Sequence, residues 1–308
     1  MPVKLLIDCD PGLDDALALL LAHGDPNLEL VAVTTVGGNV GVDKTTKNAL
    51  ELRDYLGFRS VPISAGAGEP LRGTVKSAEH VHGEGGLGDV ILPTAKGTVD
   101  DRSAVDLIVE ALANAPGEIH LVATGPLTNI ALALRREPRI IDWAASFTIM
   151  GGSYTRGNAT PAAEFNIYAD PDAASEVFEA GWTVTMVGLD LTLQAVVNET
   201  IEHRMNQLGE LGADFVRPLA TFWTNPFEDE WDGQALHDVC AVAFVARPDL
   251  FVSKPARVDV ETSGEFTSGE TVVDFHSEHR NALIPMRLDV PGFWDYVLGA
   301  WSNVTPQK

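Results

Sequence analysis

Four aspartates within eight residues near the start of the chain form the first pattern that could do chemistry. They are Asp8, Asp10, Asp14 and Asp15, and a Pro-Gly pair lies between the two halves of the group. At a separation of about 4 Å and an effective dielectric constant of about 20, each contact between two carboxylates costs on the order of 4 kcal/mol. Protonation of some carboxyl groups, or binding of a divalent cation, would relieve this repulsion. Since carboxylates offer only oxygen ligands, the pattern favours Ca²⁺ or Mg²⁺ over zinc.

Two other interpretations of this stretch can be tested on the sequence. A solvated acidic turn capped by Asp14 is the simplest, but the apolar run at 3–7 predicts a buried strand that leads directly into the turn. An EF-hand loop requires glycine at its sixth position and an acid at its twelfth. Counted from Asp8, these positions hold Leu13 and Leu19, so the EF-hand interpretation fails.

The composition is that of a globular protein with an acidic surface. The chain has 308 residues, of which 45% are hydrophobic, and its net charge is −23. Such a charge repels nucleic acids and anionic membranes, so neither is expected as a partner, whereas a small neutral substrate is compatible with it. Two cysteines make no disulfide framework, and the N-terminus carries neither a basic segment nor a cleavable apolar stretch. We therefore expect a cytoplasmic protein.

Apolar runs and helical segments alternate along the first two thirds of the chain. Strands are predicted at 3–7, 28–36, 61–65, 119–123, 147–150 and 183–189, the last ending at Asp190. Helices are predicted to begin near Asp14 and to cover 42–56, 103–115, 127–136 and 172–180. This order predicts an α/β fold with a mainly parallel central sheet flanked by helices, a Rossmann-like arrangement. Because ligands bind beyond the carboxyl ends of such strands, the polar segments that follow the strands are candidate site segments.

The remaining segments complete this prediction. Residues 66–100, rich in Gly, Pro and His, are expected to form a long loop. Residues 198–250 are expected to be helical, residues 255–290 to form a small region of antiparallel hairpins, and residues 291–301 to form a closing helix. No linker or repeat interrupts the sequence, so residues 1–308 are predicted to be a single domain.

Five segments together resemble the inosine–uridine nucleoside hydrolase family. They are DCDPGLDDALALLLA near the start, TTVGGN at 34–39, ATGPLTNIALAL at 123–134, MGGSYTRGNATPAAEFNIYADP at 150–171 and HDVCAVA at 237–243. They occur in the family's order and span essentially the whole chain. The resemblance implies a nucleosidase, an N-ribohydrolase whose fold is built around one tightly bound Ca²⁺. It also implies a small-molecule nucleoside substrate, and we expect a homo-oligomer, either a dimer or a tetramer.

The resemblance implies roles for individual residues. In the family the metal is held by four protein groups together with the ribose 2′- and 3′-hydroxyls and one water. The implied protein ligands are Asp10, Asp15, the carbonyl of Thr124, and Asp238. Asp14 corresponds to a residue that binds a ribose hydroxyl, and His82 to a histidine near the base in part of the family. The positions that hold the remaining sugar oxygens or line the pocket are Asn39, Met150, Asn158, Glu164 and Asn166.

These residue types suit hydrolysis of an N-glycosidic bond. Breaking that bond leaves an oxocarbenium-like ribosyl group, which a carboxylate cluster stabilises. Asp10 is the implied general base, which takes a proton from the metal-bound water. Purine and pyrimidine anions leave poorly, so a general acid at the base is useful. His237, with an ordinary pKa of about 6.5, is the candidate for that acid.

Simpler interpretations compete with some of these roles. His237 could merely cap a helix and orient Asp238, and His82 could be an exposed loop residue. Val239 stands where the family commonly has proline, so the orientation of His237 stays open. Aromatic residues in the acidic stretch 222–234 could stack on a base or belong to the core, and base preference stays open with them. They are Trp223, Phe227 and Trp231.

Two alternatives to hydrolysis also remain at this point. The sequence Asp8–Cys9–Asp10 resembles the nucleophile motif of haloacid-dehalogenase-type phosphatases. Those enzymes need a lysine at a later strand end, and no lysine lies between Lys96 and Lys254. The other alternative is a non-catalytic ribose- or nucleoside-binding protein on the same fold. Since every matched catalytic position keeps its side chain, we favour the enzyme.

Overall fold

A nine-stranded sheet forms the centre of the computed structural model, which describes residues 1–222 and 233–307. In chain order the strands are β1 (Val3–Cys9), β2 (Leu28–Thr35), β3 (Ile63–Ala65), β4 (Ile119–Ala123), β5 (Ala144–Met150), β6 (Val184–Val187), β7 (Val196–Val197), β8 (Gln234–Ala235), β9 (Phe251–Val260), β10 (Thr271–Asp274) and β11 (Ala282–Leu288). The order across the large sheet is β10-β9-β11-β6-β5-β4-β1-β2-β3. Strands β7 and β8 form a separate two-stranded sheet.

The large sheet is parallel from β11 through β6, β5, β4, β1 and β2 to β3. Strands β9 and β10 add antiparallel pairs at the opposite edge from β3. The predicted α/β fold class, with a mainly parallel sheet and antiparallel hairpins near the C-terminus, is confirmed. The sequence pattern did not indicate that β11 pairs in parallel with β6, so that the hairpin region continues the main sheet.

Helices follow most of the parallel strands. They are α1 (Leu13–Gly24), α2 (Val42–Leu56), α3 (Glu79–His82), α4 (Ala104–Asn114), α5 (Thr128–Arg136), α6 (Ile140–Trp143), α7 (Phe165–Ala169), α8 (Pro171–Glu179), α9 (Leu189–Thr192), α10 (Glu199–Asn206), α11 (Arg217–Ala220), α12 (Asp238–Ala246) and α13 (Val290–Trp301). A π-helical turn at Gly212–Val216 precedes α11, and a 3-10 turn at Pro248–Leu250 precedes β9. Within the described residues, no helix is both long enough and apolar enough to cross a membrane.

Strand β1 is buried on both faces, as its apolar run predicts. Leu5 and Ile7 lie in one hydrophobic cluster, whereas Leu6 between them lies in a second cluster on the other face. Helix α1 is buried along nearly its whole length in the first cluster. Since a strand and a helix that are both enclosed flank the aspartate-rich turn, packing fixes the position of that turn.

Three local predictions differ from the structure. The predicted loop at 66–100 contains helix α3. The predicted helical region at 198–250 also contains β8, because the backbone at 234–235 pairs with β7. Asp190 lies in α9 rather than at the end of a strand, because β6 already ends at Val187.

The buried side chain of Asp170 ties two helices to the long loop. Its carboxylate accepts hydrogen bonds from the Leu71 backbone N–H at 2.8 Å, the Thr128 hydroxyl at 2.7 Å and the Ala173 backbone N–H at 3.1 Å. Asp170→Ala leaves these donors without their acceptor, so we expect a loss of about 3 kcal/mol or more in the free energy of unfolding. Urea unfolding measures this loss.

Ser103→Ala is the matched control, because Ser103 caps α4 at the surface by accepting from the Asp106 N–H. That exposed cap should cost only about 1 kcal/mol, since water can replace it. Equal losses for the two variants would show that Asp170 contributes no more than an ordinary helix cap.

Candidate active site

The acidic turn after β1 meets the start of α12 at the carboxyl edge of the sheet. Carboxylate oxygens of Asp14, Asp15 and Asp238 lie within 4.8 Å of one another. Asp15 and Asp238 are buried and Asp14 is partly buried. The ends of β1 and β4 are joined directly, because the Thr124 N–H donates to the Asp8 carbonyl at 2.9 Å. The fold thus brings Asp238 together with Asp14 and Asp15, which lie more than two hundred positions earlier in the sequence.

Asn39 holds the two aspartates on either side of the turn. Its backbone N–H donates to Asp10 Oδ2 at 2.7 Å, and its side-chain Nδ2 donates to Asp15 Oδ2 at 3.0 Å and to the Asp10 carbonyl at 3.1 Å. Asn39 is itself buried. The backbone amide of Asn39 thus bonds the carboxylate of Asp10 and its side-chain amide that of Asp15, and neither donor adds charge.

Asp10 has one carboxylate oxygen, Oδ1, that is buried and has no hydrogen-bond partner among the described residues. A Cβ atom at Gly38 or at Gly125 would collide with this carboxylate, so glycine at both positions makes room for it. An unpartnered buried oxygen is costly, which favours a ligand that binds it. The carboxylates that lie together are those of Asp14, Asp15 and Asp238, whereas the predicted metal ligands include Asp10 and not Asp14. The Oδ1 atom of Asp10, which has no partner among the described residues, makes Asp10 a further candidate ligand.

Burial raises the pKa values of the clustered carboxyl groups. The pKa of Asp15 rises to about 7, because burial and the charge of Asp14 outweigh its bonds from the Gly12 N–H at 3.0 Å and the Thr124 hydroxyl at 2.8 Å. The pKa values of Asp10 and Asp238 are raised well above the ordinary range by burial and by the neighbouring carboxylates. These groups therefore favour either protons or a cation.

An all-oxygen group of this kind fits a hard divalent cation. The acidic side chains supply oxygens, Asp10 Oδ1 has no partner within the described part of the chain, and the elevated pKa values mark unrelieved negative charge. Ca²⁺ and Mg²⁺ are the biological cations that prefer such ligands. The site can therefore hold a metal ion.

Asp14 also caps helix α12. Its Oδ2 accepts from the backbone N–H groups of His237 at 3.2 Å and Asp238 at 3.4 Å. The His237 side chain makes no capping hydrogen bond to α12, so the simpler interpretation of His237 as a capping side chain is wrong. Val239 is buried within this helix, which begins at Asp238.

The imidazole of His237 contacts a residue that sequence reasoning did not single out. Its Nδ1 lies 2.7 Å from the Thr192 hydroxyl, and burial lowers its pKa below the ordinary value. Because its backbone N–H donates to Asp14, His237 lies next to the acidic cluster. Thr192 gave no signal in the sequence, because it is 45 residues from His237 and belongs to no recognised motif.

His82 ends α3, and its side chain packs against the start of α1, so its interpretation as an exposed loop residue is wrong. The side chain is buried, and Nδ1 accepts a hydrogen bond from the Leu13 N–H at 3.1 Å. Burial lowers its pKa to about 4, although the charge of Asp14 partly opposes this shift. His82 is therefore neutral at neutral pH and contacts the turn that carries Asp14 and Asp15.

Glu164 and Asn166 join the loop after β5 to the cluster. Glu164 caps α7 and accepts from the Gly152 N–H at 2.9 Å, and burial raises its pKa to about 7. Asn166 Nδ2 donates to the Thr124 carbonyl at 2.7 Å and to the Met150 carbonyl at 3.1 Å. The Thr124 carbonyl, a predicted metal ligand, thus keeps one lone pair for another partner.

Some predicted residues are not joined to the cluster. Asn158 is exposed, and its Oδ1 accepts from the N–H of Phe165, the first residue of α7, at 2.9 Å. The aromatic candidates lie outside the described residues. They are Trp223, Phe227 and Trp231.

Asp8 is fully buried, and hydrogen bonds hold one of its carboxylate oxygens, Oδ1, whereas Oδ2 has no partner among the described residues. Its Oδ1 accepts from the Thr34 hydroxyl at 2.6 Å and from Asn129 Nδ2 at 2.8 Å, and burial raises its pKa to about 7. This disfavours Asp8 as the nucleophile of a phosphatase. Asn129 belongs to the motif ATGPLTNIALAL at 123–134, but the sequence alone does not indicate that its side chain donates to Asp8.

Without a metal ion, the folded protein should lose stability as the pH rises from 6 to 8. The pKa values of Asp8, Asp15 and Glu164 lie at about 7 in the folded state, above those of unfolded carboxyl groups. The folded state therefore binds more protons than the unfolded state. The free energy of unfolding should fall by roughly 1 kcal/mol or more per pH unit.

Urea unfolding of chelator-treated protein at pH 6, 7 and 8 measures this trend. Histidines with lowered pKa values, such as His82, make the free energy of unfolding rise with pH, but mainly below their ordinary pKa of about 6.5. They therefore do not reverse the fall that we expect between pH 6 and 8. A saturating divalent cation should weaken the trend. A free energy of unfolding that rises steadily over this interval in metal-free protein would contradict the effect of burial.

Comparison with known proteins agrees with this geometry. Residues 5–295 match the family described as inosine-uridine preferring nucleoside hydrolase. The chain is 44% identical to the enzyme of that name from Leishmania major and 45% identical to the one from Crithidia fasciculata, in each case over 99% of both chains. A solved structure of a purine-preferring ribonucleoside hydrolase from Gardnerella vaginalis is 33% identical, with a TM-score of 0.90 over 97% of this chain and 98% of that one. The chain belongs to the inosine-uridine preferring nucleoside hydrolase family.

Proposed function

We propose that this enzyme hydrolyses the N-glycosidic bond of ribonucleosides with Ca²⁺ bound, giving ribose and a free purine or pyrimidine. One observation supports this most: a buried group of carboxylates lies beside His237 in a chain of the nucleoside hydrolase family. Carboxylates stabilise the positive charge that develops on the ribosyl group, and a histidine can serve the leaving base. The names of the relatives above, which act on inosine, uridine or purine ribonucleosides, support a nucleoside as substrate.

The proposed cation site uses the oxygens at the carboxyl ends of β1 and β4 and at the start of α12. Asp10, Asp15, Asp238 and the Thr124 carbonyl would hold Ca²⁺, whose preferred ligands are oxygens. The bound cation would supply Lewis acidity toward water and ribose hydroxyls. Asp14, bonded to the N-terminus of α12, is placed to accept a hydrogen bond from a ribose hydroxyl.

The chain's own residues then perform the proton transfers. Asp10 is proposed to accept the proton of the attacking water. His237 donates toward the leaving base from the other side of the cluster. His82 is proposed to face the base as well, since its ring accepts from the N–H of Leu13, the residue before Asp14.

The sugar pocket is proposed to include the loop after β5. Asn166 is buried and bonds the Thr124 carbonyl, and the buried Glu164 accepts from the Asn166 N–H, so both can orient the ribose. The exposed Asn158 would join them when a substrate is bound. The remaining proposed lining residues are Asn39 and Met150, both buried.

A panel of purine and pyrimidine ribonucleosides tests the proposal, with base release followed by absorbance. Release should require Ca²⁺, stop after chelation and return when the cation is restored. A non-catalytic binding protein would instead bind nucleosides, as seen by calorimetry, without releasing base. That outcome would refute the enzymatic proposal.

Asp10→Asn should lower kcat by at least about 10²-fold, the lower range for loss of a general base. Asp8→Asn is the matched control, because Asp8 is equally buried two residues away but is held by Thr34 and Asn129. Circular dichroism should show both variants folded. A near-normal kcat for Asp10→Asn would remove Asp10 from the role of base.

His237→Ala should discriminate among substrates. A general acid contributes about 10²–10⁴-fold when the leaving group needs a proton and little when it does not. Inosine should therefore lose most of that factor, whereas p-nitrophenyl riboside, with its activated leaving group, should lose little. If the two substrates lost kcat equally at saturating Ca²⁺, His237 would act on the acidic site instead of on the base.

A further inference from the structure

We propose that Thr192 is the positioning residue for His237, and that its hydroxyl fixes which ring nitrogen carries the proton. The hydroxyl donates to Nδ1, so the neutral ring carries its hydrogen on Nε2, the nitrogen that faces the leaving base. This inference rests on the proposed function for its effect on catalysis, but the hydrogen bond itself can be tested without any turnover.

The contact is short and enclosed. Thr192 Oγ1 lies 2.7 Å from His237 Nδ1, and Thr192 has no solvent-exposed surface. Among the described residues, Nδ1 is the only hydrogen-bond partner of this hydroxyl. The Gly188 carbonyl, one turn earlier, already accepts the backbone N–H groups of both Leu191 and Thr192.

The Thr192 hydroxyl is the donor in this hydrogen bond, because a buried hydroxyl without an acceptor is costly. A buried hydroxyl whose hydrogen finds no acceptor loses about 1–3 kcal/mol. Nδ1 is the acceptor within reach, so Thr192 donates and Nδ1 carries the lone pair. In a neutral imidazole one nitrogen donates and the other accepts, which places the hydrogen on Nε2.

Hydrogen bonds of neighbouring residues fix the segments that carry Thr192 and His237. On one side, the Leu189 N–H donates to the Gly152 carbonyl at 2.9 Å, and the Asp190 carboxylate accepts from the Tyr154 N–H at 2.7 Å. On the other side, the Leu236 N–H donates to the Ala195 carbonyl at 3.1 Å. Strands β7 and β8 pair directly beside this hydrogen bond, with Val196 opposite Ala235.

The position of the hydrogen on the His237 ring decides whether the ring can donate to the leaving base. A neutral ring with its hydrogen on Nδ1 would present only a lone pair to the base, whereas a hydrogen on Nε2 meets the leaving group with a donor. When the ring takes up a second proton on Nδ1, the Thr192 hydroxyl turns to accept from it, so Nε2 can transfer its proton and leave a neutral ring rather than an imidazolate. Helix α9 thus connects the base-side histidine to the loop at 151–166 that is proposed to hold the ribose.

Three variants test the inference. Thr192→Val removes the hydroxyl at similar size, Thr192→Ser keeps it, and Thr192→Val combined with His237→Ala removes both partners. On inosine, Thr192→Val should lower kcat by about tenfold to hundredfold, toward the lower end of what a general acid supplies, with little change in KM. Thr192→Ser should recover most of the loss, and p-nitrophenyl riboside should be affected little.

The double variant distinguishes positioning from a general structural role. When His237 is already alanine, Thr192→Val should cause no further loss of kcat. A Thr192→Val loss of the same size in both backgrounds would overturn the inference, and so would an equal loss on both substrates. A thermal melt of each variant shows that the compared proteins are folded.

A second measurement needs no activity. Nitrogen-15 NMR of the His237 ring should show a hydrogen on Nε2 and a hydrogen-bonded lone pair on Nδ1, and a mixture of the two neutral forms in Thr192→Val. A hydrogen on Nδ1 in the unaltered protein would overturn the inference. If no nucleoside were hydrolysed, the proposed function would fail, and this spectrum would still decide the hydrogen bond.

Discussion

The burial of several carboxyl groups without a basic partner is the constraint on which the site depends. None of the ion pairs within residues 1–222 and 233–307 includes Asp8, Asp10, Asp14, Asp15 or Asp238. Burial penalises each ionised carboxylate, and the neighbouring charges add to that penalty. The fold therefore needs either protons or a cation at this place.

Neutral donors make the arrangement possible without relieving its charge. Asn39, Gly12 and the Thr124 hydroxyl bond the carboxylates of Asp10 and Asp15. Had lysine or arginine supplied these bonds, the site would be neutralised and would have little affinity for a cation. The donors thus fix the positions of the oxygens while the negative charge remains available.

Three helix N-termini meet at the same region and favour negative charge there. Asp14 and Asp15 lie in the first turn of α1, Asp14 also bonds the N-terminus of α12, and Glu164 caps α7. Each terminus offsets typically 0.3–1 kcal/mol, which is far less than the cost of several buried like charges. The helices orient the acidic groups, but they do not replace the cation.

Much of this could be predicted from the sequence because its signals are local. The alternation of strands and helices follows from apolar periodicity, and the spacing of the aspartates in one turn places them together whatever the tertiary structure. The Asp14 cap on α12 joins residues 223 positions apart, and the contact of Thr192 with His237 spans 45. No local pattern encodes such pairs. The parallel pairing of β11 with β6 likewise depends on which edge of the sheet is free, and this is decided by the whole fold.

The most direct test counts the protons that the protein releases when Ca²⁺ binds. Ca²⁺ is titrated by calorimetry into chelator-treated protein near pH 7, in two buffers with different ionisation enthalpies. Because burial holds protons on the carboxyl groups that would bind the ion, each Ca²⁺ should displace at least about one proton. Asp15→Asn should weaken binding and reduce the number released. Binding of Ca²⁺ to the unaltered protein without proton release, or no binding at millimolar concentration, would contradict the account.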